Sequence, residues 1–257
     1  EKAPIELITD ASEPNTARLM ENYTAGIIRN FAEELHPGAA MKQTVSVPVR
    51  MLFNPELRSV FMFVPGVMAL LLTLISAMIT SLSITREKEQ GTMEMLLVSP
   101  FRPFHIILGK VLPYVVISLV NALVIVILAN AVFGLPVRGN LLLLMAECLL
   151  FVTTALAMGI LISTVTSSQL VAMMISMVGL MMPTMLLSGF IYPIKNMPRL
   201  LQLATHIIPA RWFIVIIKNV MIKGTGFAAV ATESAVLAGM TAVFLGLSVI
   251  KFKQRLE

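Results

Sequence analysis

The residues with the most chemistry to offer form one charged island, REKEQGTMEMLLVSP at positions 86–100, set between two long apolar segments. Arg86, Glu87, Lys88, Glu89, Gln90 and Glu94 carry the polarity. Met93, Leu96 and Leu97 recur at helical spacing, which predicts a short helix over 86–100 with one apolar and one charged side. Gly91 followed by Thr92 can break it into two turns, with Thr92 able to cap the second, and Ser99 before Pro100 marks a stop and a fresh start. Two roles suit such an element: an amphipathic connector lying on a membrane surface, or a docking element for a soluble partner.

Two more acids stand in apolar surroundings. Glu147 lies about two turns into an apolar run and Glu233 near the start of another. An ionisable group in lipid marks a functional site by default; the plainer alternative is an outer-interface position where the carboxylate snorkels or pairs with Asn130 or a loop cation. Ordinary catalytic sets are missing from the sequence. The single aspartate, Asp10, lies in the polar N-terminal stretch, and His36, His105 and His206 are isolated from one another and from clustered acids, which argues against a metal site. With no Gly-x-x-x-x-Gly-Lys-Ser/Thr loop, any ATP used must be bound, with its magnesium, by another subunit. A membrane-embedded enzyme has no residue constellation behind it. The lone Cys148 sits in an apolar run and can form no disulfide within one chain.

Composition places these groups in a membrane. The chain is 57% hydrophobic and 13% charged, with a mean hydropathy of +0.88, values that a water-soluble globule does not reach. Residues 1–58 carry six Lys/Arg and eight Asp/Glu, net −2, whereas residues 59–257 carry thirteen and six, net +7. The basic charge therefore flanks apolar runs and reads as topology, not nucleic-acid affinity.

The elements that must position the island follow in order. Residues 1–58 predict a small α+β unit: a helix starting at Pro14, Asn15 and Thr16, with an apolar stripe Met20, Tyr23, Ile27, Ile28, Phe31, Leu35, and a strand over 43–53 that Pro48 demotes toward an edge. The sequon at Asn22, Tyr23 and Thr24 is short enough to be chance. Five runs then have the roughly 20 apolar residues a spanning helix needs, at about 60–84, 104–133, 141–164, 170–187 and 228–250. Residues 188–227, with Pro193, Pro198 and Pro209 bracketing short apolar pieces and Trp212 suited to anchor at the interface, predict a re-entrant or interface-lying hairpin. Met174, Met177, Met181 and Met185 share one helical face, which suits a cavity for varied apolar ligands, ordinary helix packing or a subunit interface. Ala235, Gly239, Ala242 and Gly246 suggest close helix contact. Counting Lys and Arg gives seven on the island's side and six on the other, so charge bias does not orient the chain.

With NPEL at 54–57, VPG at 64–66, the island, and downstream SGFIYPIKNMP and IIPARWF, the chain resembles the ABC-2-type exporter permeases along essentially its whole length. It is most similar to the bacterial multidrug-type branch. The resemblance implies an all-α polytopic membrane protein of six spanning helices, five of them present, with a partial small α+β extracytoplasmic domain. It implies that the first spanning helix, its interface helix and part of the inserted domain lie ahead of residue 1.

The resemblance also places residues 1–58 and the hairpin outside the cytoplasm of a bacterial inner membrane, and the island and C-terminus inside. The island becomes a coupling helix docking on an ATP-binding subunit through Arg86, Glu87 and Glu89, with Gly91 and Thr92 shaping the turn and Glu94 completing the polar face. Pro193, Asn196, Pro198 and Pro209 would shape a re-entrant element near the outer gate, and substrate would pass along a dimer axis lined in part by Met174, Met177, Met181 and Met185. The implied partners are ABC ATP-binding subunits, a second permease protomer, the lipid bilayer and a periplasmic adaptor. The rival class is an ion-coupled carrier or channel in which Glu147 takes up protons.

Overall fold

The computed structural model describes residues 6–35, 48–92 and 103–254, in two compact units, Glu1–Met62 and Phe63–Glu257. In the first, β1 (Leu7–Asp10) and β2 (Val49–Leu52) pair in parallel, Leu7 opposite Val49, with α1 (Pro14–Leu35) between them in sequence. Parallel strands cannot be joined by a tight turn, so the helix is the crossover the pairing requires. β2 starts one residue after Pro48, whose carbonyl still accepts from Leu7 N at 3.0 Å. Of the strand expected over 43–53, residues 43–47 lie outside the described region.

The apolar stripe of α1 does not pack as its periodicity suggests: Met20, Tyr23, Ile27 and Phe31 are all exposed, and burial is confined to Pro14 and Ala17 in the first turn. Lengths explain this. A four-residue strand covers about 13 Å, whereas the 22 residues of α1 run about 33 Å.

The NPEL segment is a clamp within this unit. Asn54, 1% exposed, donates through Nδ2 to Ala11 O (3.3 Å) and Arg58 O (3.0 Å) and accepts from Arg58 N at 2.9 Å. It holds a turn flanked by Phe53 (φ 69°) and Leu57 (φ 51°), conformations that side-chain-bearing residues adopt rarely. Asn54→Ala orphans these partners at a cost of about 1–3 kcal/mol. Tryptic cleavage at Arg50 and Arg58 is then expected to accelerate by about fivefold or more through local opening, and an unchanged rate would contradict the clamp.

The described part of the second unit is helical. Five helices are long and apolar enough to cross a bilayer: α2 (Val60–Glu89), α3 (Pro103–Ala131), α4 (Leu141–Val165), α5 (Gln169–Leu187) and α8 (Ala231–Gln254). Between α5 and α8 lie a 3-10 turn (Ile194–Asn196), α6 (Arg199–Thr205) and α7 (Pro209–Ile217), the last running on into a π-helical turn, Lys218–Ile222. The final span starts at Ala231, not 228, because Phe227–Ala229 forms a separate 3-10 turn. Asn140 caps α4, its Oδ1 accepting from Leu142 N at 2.8 Å. Its neighbour Gly139 lies so close to the π turn that a Cβ there would meet Val220 O at 2.2 Å.

α2, α4 and α7 supply most of the interior, while α3, α5 and α8 expose broad apolar faces. α4 packs against α3, α5, α7 and α8, and Phe151 stacks on Phe213 with centroids 3.9 Å apart. Lipid is as apolar as the helices, so burial alone does not select partners. Hydroxyl pairs do: Ser76 with Ser118 and Ser81 with Ser176 (2.8 Å each), Tyr114 OH donating to Ser83 (2.8 Å), and Thr154 with Thr241 (2.7 Å). Each contributes about 0.6 kcal/mol, and together they fix which face of α2 meets α3 and α5, and which face of α4 meets α8.

The small-residue stripe of α8 makes no close contact among the described residues. Gly239 and Gly246 have nothing within 4 Å of a Cβ, and Ala235 and Ala242 are exposed. α8 packs inward instead through Ser234, Leu237, Thr241 and Ser248, hydroxyls and one apolar side chain that period analysis of small residues passes over.

Candidate functional site

The island begins as the end of a spanning helix. α2 continues unbroken through Arg86 to Glu89, because the charges fall where the chain leaves the apolar slab and nothing before Gly91 breaks the helix. Gly91 ends it at φ +71°, a left-handed conformation glycine adopts without strain, and its N–H donates to Lys88 O at 3.2 Å. Thr92 turns back: its hydroxyl donates to Glu87 O at 3.2 Å, completing the end of α2. Residues 93–102, with Glu94, Met93, Leu96 and Leu97, lie outside the described region.

Three side chains of this end reach the turn between α4 and α5. Thr85 shares a hydroxyl hydrogen bond with Thr166 at 3.1 Å. Lys88 Nζ donates to Ser163 O. Glu89 Oε2 accepts from Gln169 twice, from Nε2 at 2.8 Å and from the backbone N at 3.2 Å, so it caps the first turn of α5. Glu87 is half-buried and Arg86 exposed. The charged end of α2 is thus latched to two other spanning helices at one place, by Gln169, Thr166 and Ser163, none of which sequence reasoning singled out. No pattern marks them, since the pairing joins residues about 80 positions apart.

At the other group of predicted residues the chain bends. Pro193 precedes the 3-10 turn, Pro198 precedes α6, and Pro209 opens α7 with its ring buried. α6 and the α7–π segment meet at 80°. Arg211 pins that corner: Nη1 donates to Thr205 Oγ1 and to Gln202 O at 3.4 Å, and the guanidinium lies 5.0 Å from the Trp212 ring centroid. Trp212 Nε1 donates to His206 O at 3.1 Å. The IIPARWF segment therefore builds one rigid elbow. Asn196 belongs to a cleft of about 640 Å3 between the second half of α5 and the roof formed by the 3-10 turn and α6.

Met174 and Met177 are exposed, and Met181 and Met185 half-buried. They occupy the face of α5 beside the one lining the cleft, which is Val178, Met182 and Leu186. Glu147 is 4% exposed, inside the helix bundle and not at a surface. Its Oε1 accepts from Ser234 Oγ at 2.8 Å, joining α4 to α8. Asn130 spends its amide on Leu135 O at 3.3 Å. Glu233, one residue before Ser234, is half-buried. Among the described residues no three His, Cys, Asp or Glu side chains gather as metal ligands.

These features define a polytopic helical membrane protein whose sequence carries no Gly-x-x-x-x-Gly-Lys-Ser/Thr loop. Residues 1–250 match the family described as ABC-2 family transporter protein. The chain is 35% identical over 257 residues to YbhS of Escherichia coli, named as a probable multidrug ABC transporter permease, covering 99% of this chain and 68% of that protein. It is 34% identical over 221 residues to YbhR of the same organism, named likewise, covering 86% of this chain and 60% of that protein. With the ABC transporter G family member 20 of Dictyostelium discoideum it shares 24% identity over 222 residues, 86% of this chain and 30% of the relative. No solved structure matches the chain significantly. The chain belongs to the ABC-2 family of transporter proteins. It is a multi-pass membrane permease subunit and not an enzyme, and membership implies ATP-binding partner subunits.

Proposed function

We propose that the chain is the membrane subunit of an ATP-driven exporter of the bacterial inner membrane, working as a dimer with two separate ATPase subunits. The multidrug naming of its relatives and the broad apolar faces of α3, α5 and α8 support apolar or amphipathic cargo. In this reading the charged end of α2 faces the cytoplasm and touches the ATPase, the 188–227 hairpin forms the outer gate, and residues 1–58 lie outside, where a periplasmic adaptor docks. Arg86, Glu87, Gly91, Thr92 and Glu94 make or shape the ATPase contact.

One observation carries the reading: the latch of Thr85, Lys88 and Glu89 to the α4–α5 turn. A push on the end of α2 reaches two more spanning helices without passing through a flexible joint. Transmission also requires the contact to differ between the open and closed ATPase pair, or nothing is coupled. Purification from the native membrane is expected to bring down an ATP-hydrolysing subunit with the permease, and a chain that purifies alone and transports without ATP would overturn the proposal.

The buried Glu147–Ser234 pair is the observation that favours the rival, a proton-coupled carrier. Glu147→Gln keeps a hydrogen-bond acceptor for Ser234 while removing the titratable group. Export driven by ATP is expected to survive it, because the Ser234 hydrogen bond is kept and the path from the end of α2 to the α4–α5 turn does not pass through Glu147. Loss of pH-gradient-driven uptake in vesicles would instead support the carrier.

A further inference from the structure

The cleft beside α5 has no part in the coupling geometry, and its construction names a ligand class. One wall is Val178, Met182 and Leu186, one residue per helical turn on the outward side of a spanning helix, and all three are exposed. The roof is Tyr192, Pro198 and Leu201, folded over the last turns of that helix. Gln202 Nε2 holds the roof in shape by donating to Met197 O at 2.8 Å, so the cleft is preformed. At about 640 Å3 it falls within the range that accepts one drug-sized molecule or lipid tail.

Charge selects among such ligands. Lys195 stands between the lining residues Pro193 and Asn196, and Arg199 follows the lining Pro198; both are exposed. From 188 to 232 the sequence holds five Lys or Arg and no acid. An apolar wall on a bilayer-crossing helix, ending under a roof that carries two exposed cations at the helix terminus, has the layout of a phospholipid: tail along α5, phosphate at the rim.

We propose that the cleft between α5 and the 194–205 roof is a binding site for an acidic phospholipid of the surrounding bilayer, its acyl chain against Val178, Met182 and Leu186 and its phosphate by Lys195 and Arg199. The proposal depends on membrane embedding alone and is read without ATP, so it stands or falls separately from export.

The test uses the full chain, purified in mild detergent, exchanged into dioleoyl phosphatidylglycerol or dioleoyl phosphatidylcholine and examined by native mass spectrometry for retained lipid. Two cations near an acidic headgroup give roughly a thirtyfold preference for the phosphatidylglycerol. Lys195→Gln with Arg199→Gln is expected to abolish that preference with phosphatidylcholine retention unchanged, and Leu186→Trp, which fills the cleft, to reduce retention of both lipids. Glycerol 1-phosphate, the headgroup without tails, is expected not to bind. Equal retention of the two lipids by the unaltered chain would overturn the proposal, as would a preference that persists in the double variant. A disulfide between two copies through Met182→Cys, formed in membranes, would overturn it in favour of a protein interface on this face. Thermal midpoints matching the unaltered chain establish that each variant is folded, and Arg199→Lys, which keeps the charge, is expected to retain the preference.

Discussion

Glu89→Arg is expected to uncouple ATP hydrolysis from transport by roughly tenfold or more, the scale of a typical coupling free energy, while the permease still folds and still binds its ATPase. The reason is the geometry at the start of α5. Glu89 accepts from both the amide side chain and the backbone N–H of Gln169. A guanidinium there has no acceptor to offer and sets a positive charge against the positive end of the α5 dipole. The family resemblance implies a place for Glu89 on the partner surface; within the chain its carboxylate is bonded to Gln169, and the two roles give different results in a second variant. Adding Gln169→Glu gives the introduced guanidinium a carboxylate to donate to, so the two side chains are again hydrogen-bonded, with donor and acceptor exchanged. If the latch is what transmits, transport recovers at least in part; no recovery, with ATPase binding also weakened, would return Glu89 to the partner surface. Transport and ATPase rates measured in the same proteoliposomes separate the outcomes.

Gly159→Leu has the largest expected effect on folding. α2 and α4 approach so closely that a Cβ on Gly159 would lie 2.4 Å from Ala77 O and 3.0 Å from Ala77 Cα, and backbone cannot rotate aside as a side chain can. The helices must separate, which weakens the Lys88–Ser163 contact across the same crossing as well. Overpacking of this kind costs about 1–3 kcal/mol or more, and the apparent melting temperature of the detergent-purified protein should fall by roughly 5–10 °C. Gly239→Leu is the matched control: its Cβ meets nothing within 4 Å, so the isolated chain should melt within about 2 °C of the original. Equal destabilisation by both would mean that the α2–α4 crossing is looser than a 2.4 Å approach allows.

Much of the architecture was legible because it depends on properties that add up along the chain. The length of an apolar run fixes a spanning helix, and four of the five expected spans start within one residue of α2, α3, α4 and α5. Gly91 ends α2 where its backbone freedom predicted a break in the island. The breaks within 188–227 were marked by Pro193, Pro198 and Pro209, each of which stands at the start of a short helical piece.

Pairing was not legible, for a physical reason. Hydroxyls such as Ser81, Thr154 and Ser234 look alike in sequence, and only the packing of helices decides which two come within 2.8 Å. The same holds for the stripe Ala235, Gly239, Ala242 and Gly246, which has the spacing of a contact face but points away from its own chain. By itself the sequence determined that this is a membrane protein, where its helices run, and that its charge gathers at the end of the first. Tertiary structure alone decided that this end is tied to the α4–α5 turn, that Glu147 is buried against Ser234, and that a roofed cleft opens beside α5. Lipid favours helices of one kind wherever they occur, whereas hydrogen bonds and close backbone approach choose among them, and both are relations between residues far apart in the chain.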